Sequence, residues 1–284
     1  MTERNELIAD DGLIIPEVGS WSEQKYRLIG YYAKLFSTGM KNKWDCRVYI
    51  DLYSGSGLAK IKGTERIVKG SPLLAVDIPD PFDLYIFCDA NPKNIEALKT
   101  RVSNNFPGVK SKYIAGDANR NVDKILRMIP QYSRSNKVLS LCIVDPFKAS
   151  DFSFSTIKQL SAIFIDFLVL IPSYMEFNRF AALCTTEESQ KRILNRYLGT
   201  KRWPETWERA RTSGMPFGEF VCDEFAKQMN RIAFQGSVEG MRLVRGDEKK
   251  QPLYHMAFFS RKEIGMDLWR KTLDGTDPQM SFSW

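Results

Sequence analysis

Four short apolar runs between residues 47 and 145 each end at an aspartate. Arg47–Leu52 carries Asp51, Leu84–Cys88 runs into Asp89, Lys112–Ala115 into Gly116-Asp117, and Val138–Val144 into Asp145. Amphipathic segments separate them, with helices expected over Trp21–Lys41, from Gly70-Ser71-Pro72, and over Pro92–Asn105, Val122–Ile129 and Ser155–Ile163. A fifth run spans Phe167–Ile171. Strand-length apolar runs alternating with helical segments predict βαβ units around a parallel sheet. Ligands of such sheets bind beyond the carboxyl ends of the strands, so the four acids would share one rim. One aspartate there is ordinary turn chemistry; four in the same register point to a site.

The flanks complete the plan. Residues 1–20 form a polar lead, Ser22 is placed to cap the first helix, and Pro72 suits the first position of the second. A basic loop carries Lys60, Lys62, Arg66 and Lys69. After Pro172 the alternation stops, and residues 173–235 read as a helical insertion. Ser237–Val244 and Leu253–Ser260 read as an antiparallel hairpin around the turn-like 246–250, followed by a short helix, Met266–Leu273. With no repeat or low-complexity linker, 21–284 is expected to be one domain.

Composition removes several chemistries. The only histidine among 284 residues is His255, too few for the usual zinc sites or a Ser-His-Asp triad. It is read as a packed or surface residue. Cys46, Cys88, Cys142, Cys184 and Cys222 are dispersed without a C-x-x-C, as expected of reduced, buried thiols in a cytoplasmic protein. No metal site is expected. Ile163–Ile171 is too short to span a membrane, and MTERNELIADDG lacks the apolar core of a signal peptide. The net charge of +7 is compatible with a polyanionic partner.

The first turn, Asp51-Leu52-Tyr53-Ser54-Gly55-Ser56-Gly57, removes side chains where a ligand must approach backbone. A nicotinamide fingerprint would need Gly or Ala where Lys60 stands, and no G-K-[ST] supports a P-loop. An acid four positions before the first glycine instead resembles motif I of class I S-adenosylmethionine methyltransferases. The resemblance implies a Rossmann-like α/β fold, a mostly parallel seven-stranded sheet with an antiparallel C-terminal hairpin. It also implies S-adenosylmethionine as cofactor. Asp51, Tyr53, Gly55 and Gly57 would correspond to the turn at the methionine portion, Asp89 and Ala90 to the ribose-binding strand end, and Asp117 and Ala118 to the adenine side.

A narrower resemblance rests on Trp21-x-x-x-Lys25, Tyr49 to Gly57, Lys69-Gly70-Ser71-Pro72-Leu73, Val144-Asp145-Pro146-Phe147, Tyr254 to Ser260 and Trp269. Together these are similar to the three-Cys-motif partner (TcmP) family. That resemblance implies a partner protein bearing a three-cysteine motif.

Asp145, Pro146 and Phe147 are the catalytic candidates, because they resemble the D-P-P-Y/F motif of amino-group methyltransferases. There the acid and a proline carbonyl accept hydrogens from the target amine while the aromatic stacks on its base. Here one proline is missing and Lys148 follows the aromatic. The alternative is that Pro146 ends a strand and Phe147 packs beneath it. Methyl transfer needs alignment and exclusion of water more than a histidine base.

Candidate substrate contacts are Lys60, Lys191, Arg192, Arg196, Lys201, Arg202 and Trp203. The region 191–211 interleaves basic residues with Tyr197, Trp203 and Trp207, which suits phosphates and stacked bases of DNA or RNA. A solvated helical face with its aromatics in the core is the competing interpretation. The expected function is S-adenosylmethionine-dependent methyl transfer to nucleic acid or a nucleotide-like amine. The alternative is a catalytically silent binding or assembly partner of the three-Cys-motif protein.

Overall fold

The computed structural model describes residues 8–246 and 249–276. In chain order the elements are β1 (Glu17–Val18), α1 (Ser22–Met40), β2 (Cys46–Asp51), β3 (Leu58–Ile61), β4 (Ile67–Lys69), α2 (Ser71–Val76), β5 (Leu84–Asp89) and α3 (Pro92–Asn105). They continue with β6 (Ser111–Ala115), α4 (Val122–Met128), β7 (Val138–Val144), α5 (Phe154–Leu160) and β8 (Ile165–Ile171). The remainder is α6 (Ala181–Thr186), α7 (Glu188–Leu198), α8 (Trp203–Thr212), α9 (Phe217–Arg231), β9 (Arg242–Arg245), β10 (Pro252–Phe259) and α10 (Glu263–Gly275).

Seven strands form one sheet in the order β6-β5-β2-β7-β8-β10-β9. The pairs from β6 to β8 are parallel, and β10 runs antiparallel to both β8 and β9. Strand order, parallel core and inserted antiparallel strand together define the Rossmann-like class I methyltransferase fold. Every residue of β7 and β8 is buried, the pattern of strands covered on both faces. Alternation along β2 divides the core: Val48 and Ile50 face α4, α5, α7 and α9, whereas Tyr49 faces α1, α2 and α3. On this second face Tyr32 of α1 packs its ring 4.6 Å from Phe258 of β10 and 5.8 Å from Trp269 of α10.

Several local expectations need correction. Ser22 is the first helical residue rather than a cap, and Trp21 precedes it without a side-chain cap bond. Pro72 is the second residue of α2, after Ser71. Of the expected 237–244 strand only 242–244 is extended, as part of β9, because Val238–Gly240 forms a 3-10 turn. Asp247 and Glu248 of the expected turn lie outside the described residues. The basic loop contains the hairpin β3–β4, joined by β1 into a second, three-stranded sheet. Leu58, Ala59 and Ile61 are buried there while the charged residues lie outward.

All five cysteines are free thiols, with Cys46 half-buried and the others buried. Burial pushes Cys88 up to about 12 and Cys184 up to about 11, and raises Cys46, Cys142 and Cys222 as well. His255 is packed, its Nδ1 lying 2.8 Å from Ser173 Oγ and 3.3 Å from Cys222 Sγ. Among the described residues no helix is long and apolar enough to cross a membrane. Nor does any group of three His, Cys, Asp or Glu there suit a metal ion.

Candidate active site

Chain order reverses at β2, which lies between β5 and β7, and a crevice opens beyond the carboxyl ends of these strands. A cavity of about 700 Å³ occupies it. Its floor includes the glycine turn after β2, Asp89-Ala90 after β5, Asp117-Ala118 after β6 and Asp145-Pro146-Phe147 after β7. Pro16–Gly19 of the N-terminal segment and Lys25 and Tyr26 of α1 supply further walls.

The acids do different work. Asp51 is wholly buried and does not line the cavity. It accepts hydrogen bonds from Ser71 Oγ (2.7 Å) and Tyr53 N (3.2 Å), so it braces the turn from below. Burial pushes its carboxyl up to about 7, against the opposing pull of the Ser71 bond. Asp89 is on the rim: Oδ2 accepts from Gly55 N (2.9 Å), and Oδ1 from Asn91 N (2.8 Å) and Asn94 Nδ2 (3.0 Å). A carboxylate oxygen can accept two hydrogens, so Oδ2 retains capacity for a ligand hydroxyl. Asp117 is exposed and accepts from Asn119 N and Nδ2, both at 2.8 Å, through Oδ1.

The two motif glycines also differ. Gly55 has φ +62°, and a Cβ there would meet nothing within 4 Å. Gly57, at φ +90°, would place a Cβ 2.8 Å from Leu98 and 3.0 Å from Leu73. Gly55 keeps the cavity open, whereas Gly57 lets α2 and α3 pack against the turn. Tyr53 spans the floor and donates to the Asp151 carbonyl at 3.0 Å.

On the remaining wall, Lys25 Nζ lies 2.6 Å from Asp145 Oδ2, and both side chains are 13% exposed. Burial opposes the Lys25 charge, but Asp145, with Tyr26 and Tyr254, more than offsets it and leaves the ammonium held firmly protonated. Pro146 is buried, while Phe147 is 86% exposed, so the expectation that Phe147 packs beneath the strand is corrected. After β8 a π-helical turn, Ser173–Asn178, brings Met175 and Glu176 to the cavity. Glu176 accepts from Ala149 N through both oxygens at 3.1 Å, fixing the segment after Phe147.

Of the basic substrate candidates, only Arg196 lines the cavity. Lys60 lies outside it and pairs with Glu65 at 2.7 Å, while Lys191 pairs with Glu188 at 3.0 Å. Arg192 donates to the Glu188 carbonyl at 3.3 Å, and Lys201 and Arg202 are exposed. Trp203 is corrected: it is buried and donates from Nε1 to Asn195 Oδ1 at 2.7 Å, so its faces cannot take a base. Tyr197 and Trp207 are buried too, which favours the solvated-face interpretation of this helical region. Sequence reasoning did not assign roles to Lys25, Asn94, Asn119, Glu176 or Pro16–Gly19 at the site. Its one signal among these was Lys25 within Trp21-x-x-x-Lys25.

No family model matches the chain, and no curated protein matches it. Among solved structures, protein LPL1258 of Legionella pneumophila, described as family-model DUF519, is similar over 88% of this chain and 92% of its own, with 12% identity and a TM-score of 0.49. The O-methyltransferase from Bacillus cereus, crystallised with SAH, shows 10% identity over 88% and 84% of the two chains, with a TM-score of 0.45. TomG from Streptomyces achromogenes, an O-methyltransferase in complex with SAM, shows 11% identity over 88% and 93%, with a TM-score of 0.42.

Proposed function

We propose that the protein is an S-adenosylmethionine-dependent methyltransferase acting on nucleic acid or a nucleotide-like group. The observation that carries this reading is the convergence of Gly55, Asp89, Asp117 and Asp145 on one cavity at the reversal of strand order. The residues suit the cofactor. Gly55 leaves open space, Asp89 has hydrogen-bonding capacity for ribose, and Ala90 and Ala118 offer small apolar surfaces. Asn94 also lines the cavity, and its buried Oδ1 has no hydrogen-bond partner, so a donor from a bound molecule would satisfy it.

When bound, the cofactor supplies a methyl group already activated by its sulfonium. The chain's own task is to admit and align the acceptor and keep water out. Asp145 can accept a hydrogen from that acceptor, Phe147 offers a free ring face, and Arg196 can meet a phosphate. Titration with S-adenosylhomocysteine tests the cofactor assignment, with binding expected for the wild type and loss expected for Asp89→Ala. No binding by the wild type rejects it.

One observation favours a second reading, in which the site is catalytically silent and the protein serves as a binding partner of a three-Cys-motif protein. The acid expected to receive the acceptor's hydrogen is already paired with Lys25. Transfer of tritiated methyl groups to total DNA, RNA and lysate protein distinguishes the two. Labelling selects the enzyme, and silence with intact cofactor affinity selects the partner.

A further inference from the structure

Lys25 and Asp145 meet across 120 positions of sequence, one on the first helix and the other at the end of β7. Their pairing stands on the cavity wall. The ammonium meets Oδ2 of the carboxylate at 2.6 Å, and both side chains are largely withdrawn from solvent. The ammonium is held from one side by Asp145 and lies 5.0 Å from the centre of the Tyr26 ring, an arrangement that limits its freedom to turn away. A partner removed from such a desolvated pair would leave an uncompensated charge facing the cavity.

We propose that Lys25 is a positioning and charge-setting residue of the methyl-transfer site. It holds Asp145 in place at the wall to receive the hydrogen of the acceptor, and it cancels that carboxylate's charge toward the bound donor. This rests on the S-adenosylmethionine reading above. Its consequence is that loss of either partner alters the discrimination between S-adenosylmethionine, whose sulfur carries a positive charge, and S-adenosylhomocysteine, whose sulfur does not. With the pair intact, Lys25 and Asp145 together add no net charge with which to favour either sulfur. Lys25→Met exposes the carboxylate and favours the cationic ligand. Asp145→Asn exposes the ammonium and disfavours it.

Calorimetric titration of both ligands into wild type, Lys25→Met, Asp145→Asn and the double variant tests the proposal. The ratio of the two affinities is expected to shift toward S-adenosylmethionine by about fivefold in Lys25→Met and by about fivefold the other way in Asp145→Asn. The double variant, again without net charge, is expected to return to the wild-type ratio. A purely structural role would weaken both ligands together. Equal weakening with an unchanged ratio therefore overturns the proposal, as does a shift of the same sign in both single variants. Should Lys25→Met fail to fold, the ratio in Asp145→Asn decides by itself. Failure of the wild type to bind either ligand overturns the cofactor assignment instead, a result distinct from binding with an unmoved ratio.

Discussion

Arg101 ties the N-terminal segment to the glycine turn through Asp11. Its Nε and Nη2 each meet the Asp11 carboxylate at 2.7 Å, while Nη1 donates to Ile14 O (3.1 Å) and Ser56 O (2.6 Å). The guanidinium is 2% exposed, although its partner carboxylate is 35% exposed. A planar fork with five donors can serve three residues on two chain segments at once, which a lysine could not.

Arg101→Ala should therefore lower stability by about 2–3 kcal/mol, since it leaves the Ser56 carbonyl unsatisfied and breaks a partly screened pair. Asp11→Asn should cost about 1 kcal/mol or less. Urea denaturation measures both. Equal effects of the two substitutions would show that the carbonyl bonds contribute little.

Alanine at the two motif glycines should separate binding from folding. Gly55→Ala is expected to cost about 1–2 kcal/mol for its left-handed backbone, with the methyl projecting into open space and impairing S-adenosylhomocysteine binding. Gly57→Ala adds a 2.8 Å clash with Leu98 and should be the more destabilising change. Melting temperatures and ligand titrations of the two variants give the comparison.

Phe147→Ala removes a ring that is 86% exposed, so stability should change by no more than about 0.5 kcal/mol. Methyl transfer to the accepted substrate should fall sharply if the ring stacks on it. An unchanged rate in a fully folded variant would remove Phe147 from the acceptor site.

Two buried acids predict the sign of the pH response. Asp51 and Asp166 are each pushed from 3.8 up to about 7, chiefly by burial. The native chain then holds these protons more tightly than the unfolded one, so their contribution to stability is present at low pH. It is lost as pH rises from about 4 through about 7. Asp51→Asn and Asp166→Asn should each flatten the decline between pH 5 and pH 8 in denaturant unfolding. A steeper decline in the variants would reverse the assignment.

The sheet was legible because its information is local: β2, β5, β7 and β8 are apolar runs, and Asn91-Pro92 announces α3 through a side-chain cap, Asn91 Oδ1 accepting from Lys93 N at 3.0 Å. The small sheet was not. Lys60 and Lys69 suggest a solvated loop, and the partner of β3 is β1, about forty residues upstream. Such a pairing leaves no periodic trace in either segment. The acids ending β5, β6 and β7 reach the cavity as the alternation implied, but Asp51 turns beneath it, a distinction that spacing does not carry. In α7 the basic and aromatic residues share a segment yet occupy opposite faces, with Leu194, Tyr197 and Leu198 inward and Arg192 and Arg196 outward. Composition alone merges those two faces into one apparent binding surface. Lys25 was visible only within the motif Trp21-x-x-x-Lys25, because its meaning depends on a partner 120 positions away.

The raised, enclosed thiols make this chain a convenient background for site-directed labelling. Maleimides and iodoacetamides react with the thiolate, and here Cys88, Cys142, Cys184 and Cys222 are buried as well as reluctant to ionise. After replacement of the half-buried Cys46, one cysteine introduced at the rim could carry a fluorophore with little competing modification. Opening and closing around the crevice could then be followed from a single attached probe.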